Sequence, residues 1–176
     1  MATFVERMVR AARLDSAVYE EVEADRSATA QATAVVVLAG IATGIGFTLR
    51  SGAGGLVAAG IGALIGWYVW ALLTYFIGTR LLREPQTRAD LGELLRTLGF
   101  ASAPGILRVL GVVPGIQRLV FVVTWLWMLV AMVVAVRQAL DFNSTARAVA
   151  VCLIGFLVQC GVFILLMLLF GVEPLP

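Results

Sequence analysis

The chain alternates long runs that hold no charge with short polar connections. Ser27 to Leu49 carries no charged residue, and a helix of that length reaches across the hydrocarbon core of a bilayer, which needs about 20 residues. Similar runs lie within Ser51 to Thr79, from Leu119 to Val136, and from Ala148 to Val172. Each predicts a transmembrane helix, with limits near residues 28–49, 55–79, 117–136 and 147–171. The turn from Arg50 to Gly55 is so short that the second helix must run antiparallel to the first.

The stretch from Leu98 to Arg118, LGFASAPGILRVLGVVPGIQR, is harder to place, because it is apolar yet carries Pro104-Gly105, Arg108 and Pro114-Gly115. The helix leading into it starts outside the membrane. Thr87-Arg88-Ala89-Asp90 reads as a capping box after Pro85, and Leu91, Leu94, Leu95 and Leu98 recur at helical spacing. Proline cannot continue helical hydrogen bonding, so a stop or kink is expected at Pro104. On an insertion scale the apolar residues contribute about −2 to −5 kcal/mol and a central arginine costs about +3, which leaves the sum near zero once the glycines and proline are counted. The segment is a kinked third span over residues 96–113 or a re-entrant hairpin, and either form needs neighbouring helices. We expect it to cross, since Leu98 to Val113 reaches about 24 Å at ~1.5 Å per residue and Arg108 lies near enough to the outer end to snorkel.

Ahead of the first span, Phe4, Val5, Met8, Ala11 and Ala12 fall on one arc of a helix while Glu6, Arg7, Arg10 and Arg13 fall on the other. This predicts an amphipathic interfacial helix, with Phe4 and Met8 in the membrane surface and Arg7, Arg10 and Arg13 toward anionic headgroups. Packing on the cytoplasmic end of the bundle is the alternative. Asp15 and Ser16 suit the N-cap of a second short helix through Val18, Tyr19 and Val22, whose acidic residues Glu20, Glu21, Glu23 and Asp25 are expected to be a solvated face. Within the spans, Gly40 and Gly44, with Gly46 close by, and Gly62 and Gly66 have the four-residue spacing that lets helices approach closely. Trp67 and Trp70 are expected in the bundle core, and Gln159 is expected to make an interhelical hydrogen bond.

Composition supports a membrane protein and narrows its chemistry. Hydrophobic residues make up 61% of the chain and charged ones 14%, against about a quarter charged in a soluble domain; the mean hydropathy is +0.98. All 13 basic residues are arginine and there is no histidine, which removes Ser-His catalysis and imidazole metal sites. Cys152 and Cys160 are about 12 Å apart along one helix, too far for a disulfide. No catalytic residue, cofactor, metal site or nucleic-acid contact is expected. The first 26 residues lack the apolar core of a cleavable signal, so the first span is expected to be an uncleaved anchor. The arginines favour a cytoplasmic N-terminus ten against three under five spans or four, and are silent about the C-terminus; five spans put it outside.

LDSAVYEEVEAD, the LGFASAPG of Leu98 to Gly105, the Val-Pro-Gly at Val113 to Gly115, and VAVRQALDFNSTARAV from Val134 to Val149 resemble the bacterial branch of the Yip1 domain family. The resemblance implies an all-α bundle of five transmembrane helices over the whole chain, a cytoplasmic N-terminus and no enzymatic activity. The expected protein is a multi-pass, non-enzymatic organiser or assembly partner in the cytoplasmic membrane of a bacterium. Its candidate partners are the lipid bilayer, a second copy of itself or another membrane protein. The alternative is a small transporter, channel or lipid-translocating protein that works through the broken Pro104–Pro114 region.

Overall fold

The computed structural model describes residues 2–48 and 52–170, so the expectations for Arg50 and for the C-terminus lie outside the described residues. Every regular element among those residues is helical. Among the described residues four helices are long and apolar enough to cross a membrane, at Ala28–Gly46, Gly54–Leu81, Gln117–Ala139 and Thr145–Val162. They belong to α3 (Ala28–Thr48), α4 (Gly52–Phe76, continued by a π-helical turn Ile77–Leu81), α6 (Gln117–Ala139) and α7 (Thr145–Phe170). Val57, Ile61, Ile65, Leu153 and Leu157 are all exposed on them, as lipid-facing side chains should be and soluble ones seldom are.

The expected third span is built differently from the other four. α5 (Leu91–Ala101) is an α-helix, and from Ala103 to Val112 the chain continues as a 3₁₀ helix. Pro104 is the physical reason: it has no N–H to donate to a carbonyl one α-turn back, and it disfavours α geometry at the preceding residue. The chain takes the tighter pattern instead, with the Gly105 N–H donating to the Ser102 carbonyl at 2.9 Å. A 3₁₀ helix rises about 2.0 Å per residue, so ten residues cover about 20 Å. The helix also starts from a different box than expected. Asp90 and Glu93 cap α5 reciprocally, while the Thr87 hydroxyl accepts from the Glu84 N–H in the preceding turn.

Small residues set how this segment packs. Ala32, Ala39 and Gly46 on α3 face Gly99, Gly105 and Gly111 in turn. The spacing of seven is two α-turns and the spacing of six is two 3₁₀ turns, so the two strips keep pace. The segment therefore lies alongside α3 and runs in the same direction. α6 returns the other way, from Gln117, whose Nε2 donates to the Gly46 carbonyl at 3.0 Å, to Gln138, which reaches Glu20 at 2.8 Å.

α4 packs on α3 at Gly40 and Gly44, where an added β-carbon would meet Ala63 at 2.8 Å and Leu56 at 3.0 Å. Gly62 and Gly66 take no part in that contact. A β-carbon on either would meet nothing within 4 Å, because Ala59 and Ala63 form the face of α4 turned toward α3. The largest fully buried side chains include Tyr19, Leu94, Leu98, Phe100 and Leu140. They belong to one buried cluster that takes in residues of α1 (Phe4–Ala12) and α2 (Ser16–Ala24), with Leu140 packed on Gly78 of the π-helical turn.

Candidate functional site

Two regions hold the residues singled out by the sequence: a cap made by the first two helices and a cavity inside the bundle. α1 begins with a capping box in which Thr3 and Glu6 satisfy each other's backbone N–H. Arg7 on its charged face, however, turns inward, while Glu6 stays exposed. Arg7 is 5% exposed; its guanidinium donates to Glu21 at 2.9 Å, Asp25 at 2.8 Å and Gln31 of α3 at 3.2 Å. Arg10 donates to Asp15 and to Glu21, both at 2.8 Å. Neither arginine is free for headgroups, and of the acidic run Glu21 and Asp25 are ion-pair partners while Glu20 is exposed as expected. Arg13 is exposed.

The electrostatics follow from these pairs. Burial pushes the Glu21 carboxyl up, but hydrogen bonds from Arg7 and Arg10 outweigh it and the net shift is downward. Asp25 is lowered by hydrogen bonds from Ser27 and Arg7. Glu23 behaves oppositely: desolvation, then the charges of Glu93 and Asp141, push it up to about 7. Arg96, which belongs to the start of the third segment, caps α2 by donating from Nε to the Val22 carbonyl at 3.0 Å and to the Glu23 carbonyl at 3.1 Å.

With Arg7 held inside, α1 presents a short apolar outer ridge beside the exposed Glu6. Val5 is 58% and Val9 41% exposed, while Phe4 and Met8 pack on the core. The helix is also set deep. The Trp127 indole, near the midpoint of α6, donates to the carbonyl of Ala12 at 2.7 Å.

The cavity has a volume of about 410 Å³. It gathers Gly40, Thr43, Gly66, Trp67, Trp70, Leu98, Ser102, Arg108, Trp125, Met128, Met132 and Gln159 from α3 to α7 and the 3₁₀ segment. Arg108 is half-buried and its guanidinium reaches the hydroxyls of Thr124 and Thr43, each at 3.3 Å, with the Phe121 ring centroid 5.1 Å away. Gln159 makes no hydrogen bond to another described residue and lines the cavity instead. The Trp67 N–H donates to the Leu95 carbonyl at 3.0 Å, whereas the buried Trp70 N–H finds no partner among the described residues.

Pro104 and Gly105 are buried in the bundle, while Pro114 and Gly115 form the exposed turn before α6, with Gly115 at φ +88°. Thr43 and Thr124 carry no distinguishing signal in the sequence, because a mid-span threonine usually bonds its own helix. Both do so, to Ala39 and Val120 respectively, and accept from Arg108 as well. Cys152 and Cys160 are free thiols.

Residues 16–167 match the family model described as the Yip1 domain. No curated protein matches the chain, and no solved structure matches it.

Proposed function

Because the chain belongs to the Yip1 domain family, a multi-pass membrane protein by its apolar helices, we propose that it is a non-enzymatic organiser of the bacterial cytoplasmic membrane. It crosses five times, with its N-terminus in the cytoplasm and its C-terminus outside. The fifth crossing is supported by the third segment, which follows α3 from Ala32 to Gly46 in small-residue contact. The organising role is supported by one observation above the others: α1 is locked onto the bundle by Arg7 and turns Val5 and Val9 outward. Set into one leaflet only, that ridge adds area to the cytoplasmic side and favours curvature.

The test of shape is reconstitution of the full chain in unilamellar vesicles imaged by electron microscopy. Increasing protein density should yield small vesicles or tubules, and a Val5→Asp, Val9→Asp double variant should lose the effect while still inserting. Vesicles of unchanged diameter at high protein density would refute the role. The test of topology is an impermeant thiol reagent on intact cells carrying Ile116→Cys in a chain whose Cys152 and Cys160 are replaced. Labelling from outside is expected; labelling only after the membrane is opened would mean that the third segment re-enters.

The cavity favours a second reading, passage of a lipid or small solute beside the broken segment. Flux of ions, solutes and labelled lipid at the background of empty liposomes would remove it.

A further inference from the structure

We propose that the intrabundle cavity is a binding site for one phospholipid, whose phosphate pairs with Arg108 and whose acyl chain lies against the aromatic and methionine wall. This goes beyond the membrane-organising role and does not depend on it.

The argument begins with an uncompensated charge. A guanidinium stays protonated at any physiological pH, and an arginine inside a membrane helix costs about 2.5–3.5 kcal/mol or more. Such residues therefore face a protein interior and find a counter-charge. Arg108 faces the interior, but among the described residues no carboxylate stands within ion-pair distance of it. What it has are two threonine hydroxyls and the face of a ring. These orient a guanidinium without neutralising it. Its geometry is held from behind as well, since the Arg108 carbonyl is pressed against Gly46 of α3.

The space beside the charge indicates what completes it. The cavity of about 410 Å³ falls in the usual range for ligand pockets, about 300–1,000 Å³. Its wall divides by chemistry: Arg108, Thr43 and Gln159 are polar, while Trp125, Met128 and Met132 are apolar. A ligand that satisfies both parts has an anionic head and an apolar tail. The buried Trp70 N–H, without a partner among the described residues, lines the same space and offers a second donor. An indole N–H left unsatisfied costs free energy that an ester or phosphate oxygen would recover.

Depth selects a membrane lipid over a free anion. Thr43 lies five residues before the end of α3 at Thr48, hence about 7.5 Å along the axis, which puts Arg108 just below the headgroup layer on that side. A phospholipid in that leaflet needs only a small inward shift to bring its phosphate to the guanidinium. Inorganic phosphate would leave the apolar wall unfilled and would have to shed its whole hydration shell.

Native mass spectrometry of the full chain in mild detergent, with phosphatidylglycerol added at increasing ratio, tests this. One adduct should saturate first and hold more tightly than further ones. Arg108→Gln should weaken it roughly ten- to hundredfold, the loss expected for a charge-assisted contact, and Trp70→Phe should weaken it less. Gly66→Leu is the independent variant. A β-carbon there meets nothing within 4 Å and the residue lines the cavity, so the new side chain enters the space from α4 and leaves the Arg108 guanidinium itself in place. It should abolish the first adduct while the protein stays monodisperse, and it decides the matter if Arg108→Gln does not fold. Two controls separate the sources: millimolar inorganic phosphate should not displace the lipid, and diacylglycerol, which has no phosphate, should not form the adduct. Displacement by phosphate would overturn the lipid in favour of a free anion. Equal binding of diacylglycerol, or an adduct that survives Gly66→Leu, would overturn the site.

Discussion

The carbonyl oxygen of Arg108 occupies the place where a β-carbon on Gly46 would have to be. Backbone meets backbone there, with Gly111 packed on the same residue of α3, and this contact sets the depth and the direction of the 3₁₀ segment. Gly46→Val should therefore push the segment away from α3 and destabilise the fold by about 2–4 kcal/mol, at or above the usual range for overpacking because backbone must move. Gly62→Val, where a β-carbon meets nothing within 4 Å, should change stability by about 0.5 kcal/mol or less. Thermal unfolding of the two variants in the same detergent compares them directly, and equal effects would show that the close approach is not a constraint.

The cap depends on Arg7. Removing its side chain leaves Asp25 without its cation and Glu21 with Arg10 alone. Breaking a buried pair costs about 3–5 kcal/mol, and since both carboxylates are 31% exposed the expected cost of Arg7→Ala is about 1–3 kcal/mol. Arg13→Ala, at an exposed position, should be neutral. Limited proteolysis should release α1 and α2 from the first variant and leave the second intact.

Glu23 makes stability depend on pH. Its pKa is raised from 4.5 to about 7, by desolvation first and then by Glu93, Asp141 and Glu20, against the opposing charge of Arg96. The folded state thus holds this proton more tightly than the unfolded chain. The contribution is full below about pH 4.5 and is lost as pH rises through 7. Glu23→Gln should flatten the fall in melting temperature between pH 5 and 8, with the variant the more stable at pH 8. A slope equal to that of the parent protein would sink this assignment.

Pro104→Ala restores the N–H that the 3₁₀ start lacks. If the segment then reverts to α geometry, ten residues shorten by about 5 Å and Arg108 leaves the level of Thr43. Spin labels at Ile116 and on α3 should report that shift. An unchanged distance would show that Gly46 and Gly111 hold the 3₁₀ form without proline, the neighbours rather than the residue imposing it.

What the sequence determined by itself is what depends on one dimension. A bilayer asks only for enough consecutive apolar residues, so the four uninterrupted spans could be read directly and appear as Ala28–Gly46, Gly54–Leu81, Gln117–Ala139 and Thr145–Val162. The break at Pro104 was equally local, since it follows from a missing N–H. Family membership could be read in short motifs such as LGFASAPG. Tertiary structure alone decided which way each face turned. The two faces of α1 are plain in its sequence, but Arg7 is drawn inward by Glu21 and Asp25, 14 and 18 residues away, while Val5 is left outward. Two glycine pairs had the same spacing, and only Gly40 and Gly44 met a partner helix, because the rotation of α4 is set by packing over its whole length. Arg108 could be seen as costly, yet that it shares a cavity with Trp70 and Gln159 follows only from the packing of α4, α7 and the 3₁₀ segment. Interhelix register has no local signal in a chain whose spans are apolar on every side.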